Sequence, residues 1–185
     1  MPDDVQLLEA YARRGDVGSL SALVDRHAVW LTALLRGHLR AQADVDDAFQ
    51  EVWTRVIRSA GGYRGGGVRA YLARIAQNVV VDRLRRARPT VSLDQPDEDG
   101  CTPLDDLPDT HPGTREEVDV RASADEIREA VRALPEGPRR VLLLRLEAEL
   151  PFRDIAGELG IPMGTALNWM HVATEQLRRR LRRRT

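Results

Sequence analysis

Apart from its carboxylates, this 185-residue sequence has one cysteine and four histidines with which to do nucleophilic, imidazole or soft-metal chemistry. Cys101 and His111 both fall in a proline- and acid-rich stretch. A nucleophile–base pair needs neighbours that hold it in place, and such a stretch supplies none. His27 and His38, eleven residues apart, match no metal-ligand spacing and read as partly buried or surface histidines. No catalytic group, cofactor or metal is expected. Non-covalent recognition by arginine, aromatic and amide side chains remains. Residues 61–67 read Gly-Gly-Tyr-Arg-Gly-Gly-Gly. No strand precedes this run and no Gly-Lys-Ser/Thr follows it, so it is not a phosphate loop. Tyr63 and Arg64 could stack on and hold an unpaired base, or the run could simply join two helices. After it, Arg69, Arg74, Arg83, Arg85, Arg86 and Arg88 share one segment with Tyr71, Gln77 and Asn78. That mixture suits phosphate contact combined with base contact.

These residues need helices to position them. Apolar spacing predicts helices over 5–14, from Leu20 to about Arg40, from Asp44 through Ile57, and over 68–88. In the third, Asp46 and Asp47 complement the helix dipole, and Gln50, Glu51 and Arg55 form a polar face. Residues 124–134 and 139–150 are predicted helices separated by Pro135-Glu-Gly-Pro138, which reads as a break. Phe152–Leu159 follows, with Ile155, Ala156 and Leu159 on one face and Gly160 able to take a positive φ. Pro162 suits the first turn of a last helix burying Ala166, Met170, Ala173, Leu177 and Leu181. The final pair fits a helix-turn-helix or an ordinary αα-hairpin equally well. With no strand pattern, the chain is expected to be all-α: two small helical domains joined by an acidic Pro-rich linker, the second ending in a helix-turn-helix.

The formal net charge of −1 conceals segregation. Residues 1–90 carry 14 arginines against 10 acids, residues 91–124 carry 2 against 10, and residues 125–185 carry 12 against 9. Two mildly basic blocks flank an acidic one, and five prolines with few large apolar residues mark 89–123 as a linker. A lone cysteine allows no intrachain disulfide and suits a reducing cytoplasm. The N-terminus has no charged-then-apolar signal, and no apolar run approaches the roughly 20 residues that span a bilayer. A soluble cytoplasmic protein without membrane insertion is expected.

The motifs, taken in order, resemble those of extracytoplasmic-function (ECF) sigma factors of bacterial RNA polymerase. Arg14-Gly-Asp16, then Leu20 through His27, is similar to that family's opening helices. Asp47-Ala-Phe-Gln-Glu-Val-Trp53 matches Asp-x-x-Gln-Glu-x-aromatic, and Tyr63-Arg-Gly65 matches aromatic-Arg-Gly. Tyr71-Leu-Ala-Arg-Ile-Ala-Gln-Asn78 and Asp82-Arg-Leu-Arg-Arg86 complete the first domain, while Leu134-Pro-Glu136 and the run Ile155 to Thr165 match the second. The resemblance implies a region 2 domain over 1–88, a linker over 89–123 that threads the core enzyme, and a region 4 domain over 124–185. It implies that Asp47, Gln50, Glu51 and Arg55 grip core polymerase. Tyr63, Arg64, Tyr71, Arg74, Gln77, Asn78 and Arg83 would open and read the −10 element. The −35 element would meet Arg145, Arg153, Thr165, Asn168, Trp169, His171 and Arg178. The implied partners are core RNA polymerase, promoter DNA and an anti-sigma factor.

Two features depart from the family pattern. The Gly65–Arg69 connection is short and glycine-rich, and no arginine lies between Arg153 and Arg178, where the recognition helix usually carries several basic residues. The apolar Leu167, Trp169 and Val172 in that gap favour an alternative: a sigma-like protein that binds an anti-sigma factor or regulator without productive −35 contact.

Overall fold

The computed structural model describes residues 2–65, 67–87 and 124–182. The expected linker, with Cys101 and His111, lies outside the described residues, as do Arg183 and Arg184 at the C-terminal end. Eight α-helices and one 3-10 turn make up the regular structure, with no strand among the described residues. The expected all-α class is what the chain adopts.

The first helix, α1 (Asp4–Arg14), starts in a capping box. Asp3 accepts from the Gln6 backbone N–H at 2.8 Å, and the Gln6 side chain accepts from the Asp3 N–H at 3.0 Å. Gly15, at φ 67°, ends it. Asp16 then caps α2 (Val17–His38), accepting from the Gly18 N–H and the Ser19 hydroxyl. This cap starts α2 three residues before the predicted Leu20. The third helix, α3 (Gln42–Ser59), leads through the turn Ala60–Gly62 and the glycine loop to α4 (Val68–Ala87).

From residue 124 onward come α5 (Ala124–Arg132), α6 (Glu136–Leu146), α7 (Phe152–Leu159) and α8 (Met163–Arg182). A break separates α5, which ends at Arg132, from α6 as expected, but α6 does not wait until Arg139. Instead α6 begins at Glu136 and takes Pro138 into its first turn, where a missing N–H costs no helical bond. Between α7 and α8, Gly160 adopts φ 65° and its N–H bonds to the Ala156 carbonyl. That left-handed residue re-aims the chain and produces the helix-turn-helix, sealed by buried Ile155, Ala156, Ala166 and Ala173.

Helices α1–α4 form one bundle and α5–α8 another. The two meet along α2 and α4 on one side and α5 and α6 on the other, and a single apolar cluster runs through both. Leu31, Leu34 and Leu35 of α2 belong to it, as do Val79 and Val80 of α4 and Leu142, Leu143 and Leu144 of α6.

Candidate polymerase and nucleic-acid interface

The polar face of α3 divides in two. Asp47 and Gln50 are exposed, one turn apart. Glu51 and Arg55 are half-buried and pair with each other. Arg55 also reaches Asp82 of α4 at 2.8 Å, and Glu51 lies 3.5 Å from Arg83 of α4. Burial works to lower the Arg55 pKa, but its hydrogen bonds to Asp82 and Glu51 outweigh this and hold it above its usual value. These four charges cross-brace α3 to α4, leaving Asp47 and Gln50 as the side chains that project freely.

The residues expected to meet unpaired DNA also divide. Arg74 and Asn78, four apart on α4, are exposed, as is Arg64 in the loop. Gly65 (φ 92°) and Gly67 (φ 88°) give that loop a path other residues would resist. Tyr63 is half-buried and meets the ring of Tyr71 edge-on, with centroids 5.3 Å apart. Tyr71 is buried, its hydroxyl 2.6 Å from the Ser59 Oγ, so it supports Tyr63 from behind. Tyr63 also lines a cavity of about 240 Å³ with Leu8, Glu9, Arg13 and Gly61. Gln77 is only 1% exposed, sealed between α2 and α6, so no DNA reaches it in this arrangement. Arg83 is committed to Glu51.

On the C-terminal bundle, Arg153 and His171 are exposed, Thr165, Asn168 and Trp169 are half-buried, and Arg178 pairs with Glu175 at 2.6 Å. The Trp169 indole packs on Gly137, where a β-carbon would sit 2.8 Å from the ring. Much of its surface therefore joins α8 to α6. Arg145 stacks over Phe152 at 5.5 Å and donates to the Leu150 carbonyl at 3.1 Å, tying the α6–α7 turn. Met163 and Leu167 are exposed hydrophobics at the start of α8, and Leu146 is another at the end of α6.

His27 and His38, expected to be partly buried or at the surface, are both buried. Trp30 donates to His27 Nδ1 at 2.9 Å, which leaves the proton on Nε2, 3.0 Å from Asp4. Burial lowers the His27 pKa against the pull of Asp4. Among the described residues no cluster of three or more His, Cys, Asp or Glu side chains could hold a metal. No helix there is long and apolar enough to cross a membrane.

Several residues that matter to the arrangement carried no local sequence signal. Arg69 lies over the Trp30 ring at 5.2 Å and reaches Glu149 and the Glu147 carbonyl across the bundle boundary. Arg140 reaches Gln77 across the same boundary, and Gly37 admits Leu143. Except for Arg69 and Trp30, these partners lie 63 or more residues apart, so helical periodicity says nothing about them.

Sequence models of known families match this layout. The model for sigma-70 region 2 matches residues 23–90, and that for sigma-70 region 4 matches residues 124–177. The ECF sigma factor SigM of Mycobacterium tuberculosis is 30% identical over 163 residues, covering 88% of this chain and 76% of that protein. SigE of Mycolicibacterium smegmatis is 29% identical over 178 residues, covering 96% of this chain and 67% of its own. Among solved structures, CnrH in complex with the cytosolic domain of CnrY aligns with a TM-score of 0.65 at 20% identity, covering 95% of each chain. The sigma factor RpoE of Bartonella quintana, in complex with the anti-sigma factor NepR, aligns at 0.63 and 17% identity, covering 88% of this chain and 96% of that one. At those identities the structures show a shared fold. The fold and sequence motifs define a sigma-70-type protein with regions 2 and 4. The chain belongs to the ECF RNA polymerase sigma factor family.

Proposed function

We propose that this chain binds core RNA polymerase, recognises −10 and −35 promoter elements and starts transcription, acting in the cytoplasm by binding rather than by catalysis. Residues 1–88 serve as region 2, 89–123 as the linker through the core enzyme and 124–185 as region 4. Asp47 and Gln50 make the principal polymerase contact, while Glu51 and Arg55 keep α3 in register with α4. Arg64, Arg74 and Asn78 meet the melted −10 strand, with Tyr63 as a stacking surface backed by Tyr71.

On region 4, Thr165, Asn168 and His171 read bases and Leu167 touches thymine methyls. Arg153, Arg178 and the other arginines at the end of α8 supply phosphate contact. The exposure of Arg74 and Asn78, four apart on α4, carries this reading: a phosphate ligand and a base-edge ligand share one helix face, and Tyr63 packs on Tyr71 of the same helix. Exposed Met163 and Leu167 favour a second reading for α8, as a surface for an anti-sigma factor.

The test compares two templates. Asn78→Ala should slow open-complex formation on duplex promoter about tenfold, and less on a template with a pre-opened bubble. Extruding a base costs a few kcal/mol, which the bubble has already met. Equal loss on both templates would place Asn78 in folding or polymerase contact instead.

A further inference from the structure

We propose that a run of side chains through the first bundle, Asp4, His27, Trp30 and Arg69, frames the glycine loop at both ends. It holds Tyr63 and Arg64 in place for strand opening, which makes Asp4 and His27 positioning residues. This rests on the reading that the loop meets the promoter strand.

The loop has little to hold it from within. Gly65 and Gly67 take positive φ, and the Tyr63 hydroxyl is buried without a hydrogen-bond partner among the described residues. Its ends are tied instead. At the entrance the Tyr63 N–H donates to the Ala60 carbonyl at 3.1 Å, and at the exit the Tyr71 N–H donates to the Gly67 carbonyl at 3.2 Å. The entrance turn, Ala60–Gly62, packs against α1, and Leu8, Glu9 and Arg13 of α1 share a cavity with Gly61 and Tyr63. The exit leads into the first turn of α4, which contains Arg69. The ion pair of Arg69 with Glu149, at 3.0 Å, reaches the second bundle, but within the first it rests on the face of Trp30 from α2. A cation opposes the helix dipole at that position, and the ring face offsets this.

Both tethers lead to His27. The Trp30 indole N–H donates to His27 Nδ1 at 2.9 Å, with the two rings edge to face. The proton of neutral His27 therefore sits on Nε2, 3.0 Å from Asp4 Oδ2 in the first turn of α1. Arg26 donates to the other Asp4 oxygen at 2.9 Å and to the Pro2 carbonyl at 3.0 Å. This clamp matters because α1 is 11 residues long and fully buries only Leu7 and Leu8. A helix that short is marginal by itself, so its place depends on what fastens it. The half-exposed Arg26 pair alone would contribute little. The His27 N–H is different: the residue is only 5% exposed, and loss of Asp4 would leave a buried donor without its acceptor.

Hydrogen exchange on the free full-length chain tests the frame. Asp4→Ala should speed exchange of the Tyr63 and Tyr71 amides about tenfold, the change expected when a buried donor is stranded. Amides in the middle of α3, at Val52 and Val56, should not change. Asp4→Asn keeps an acceptor for the His27 proton, so it should speed both about twofold, and it serves if Asp4→Ala does not fold. A response at Tyr63 alone, at neither amide, or equally at Val52 and Val56 would overturn the frame. Open-complex formation with core polymerase on duplex promoter is the second arm. Asp4→Ala should slow it about tenfold, yet cost nothing further in a Tyr63→Ala background, because residues that act through one group are not additive. Additive losses would mean that Asp4 acts on stability rather than through Tyr63, and would overturn its positioning role. If both amides respond while Tyr63→Ala leaves opening unchanged, the frame stands and the reading that the loop meets the strand falls. If Tyr63→Ala slows opening while neither amide responds, that reading stands and the frame falls.

Discussion

Asp47→Arg should abolish retention of the chain on core RNA polymerase while changing its stability by no more than about 0.5 kcal/mol, as for other exposed sites. Asp47 is exposed and makes no bond that holds the bundle together. Reversing its charge turns attraction to a basic partner into repulsion, and like charges facing each other across an interface cost several kcal/mol. Gln50→Arg should weaken binding in the same direction. Glu51→Arg must be interpreted differently. It would place a third guanidinium between Arg55 and Arg83, which Glu51 now joins. Destabilisation of order 1–2 kcal/mol should accompany it, so lost polymerase binding there reports on the α3–α4 brace. Co-purification with polymerase alongside thermal unfolding of each variant separates the cases. Retention of Asp47→Arg at the wild-type level would remove α3 from the polymerase contact.

The second large effect is acid lability centred on His38. Burial pushes its pKa from 6.5 to about 3, and the charges of Arg139 and Arg140 push the same way. The hydrogen bonds agree: Arg140 donates to the Gln77 amide oxygen, which turns the amide nitrogen toward His38, so Nε2 must stay unprotonated to accept from it. The folded pKa lies below the unfolded one, so the stabilisation is complete above pH 6.5 and is lost as pH falls toward 3. Between pH 6.5 and 5 the loss should approach about 1.4 kcal/mol per pH unit. Burial raises the pKa of Glu147 and of Glu158, so their contributions have the opposite sign, growing as pH falls. His27, lowered by burial, acts in the same sense as His38. The slope difference between wild type and His38→Gln isolates His38. Urea unfolding at pH 7.5, 6.5 and 5.5 should show a flatter profile for the variant. Identical slopes would mean that His38 is not held neutral.

What the sequence made legible was local. The bounds of α7 and the positive φ of Gly160 follow from a short apolar period and a glycine stop, and both lie where those signals put them. The buried side of α4 through Leu72, Ile75, Ala76, Val79 and Val80 is likewise a matter of spacing. The start of α6 was not legible, because Pro135 and Pro138 signal a break and a proline-tolerant first turn alike. The division of candidate residues into exposed and buried was not legible either. Tyr71 and Gln77 lie at the edges of the apolar stripe of α4, and only the packing of α2, α3 and the second bundle around that helix decides their exposure. Arg55 and Glu51 read as a free polar face because the partners on α4, Asp82 and Arg83, are distant in sequence. The resemblance assigns Arg145 to the −35 element, while its bond to the Leu150 carbonyl depends on how the α6–α7 turn closes.

The most direct test of the account is multi-round run-off transcription with core RNA polymerase lacking any other sigma factor, on a library of promoter-length fragments. Adding the full-length chain should yield transcripts from a subset sharing two elements at fixed separation. Asp47→Arg should abolish them and Asn78→Ala should reduce them. No transcript above core polymerase alone, from a chain that still binds the polymerase, would contradict the account.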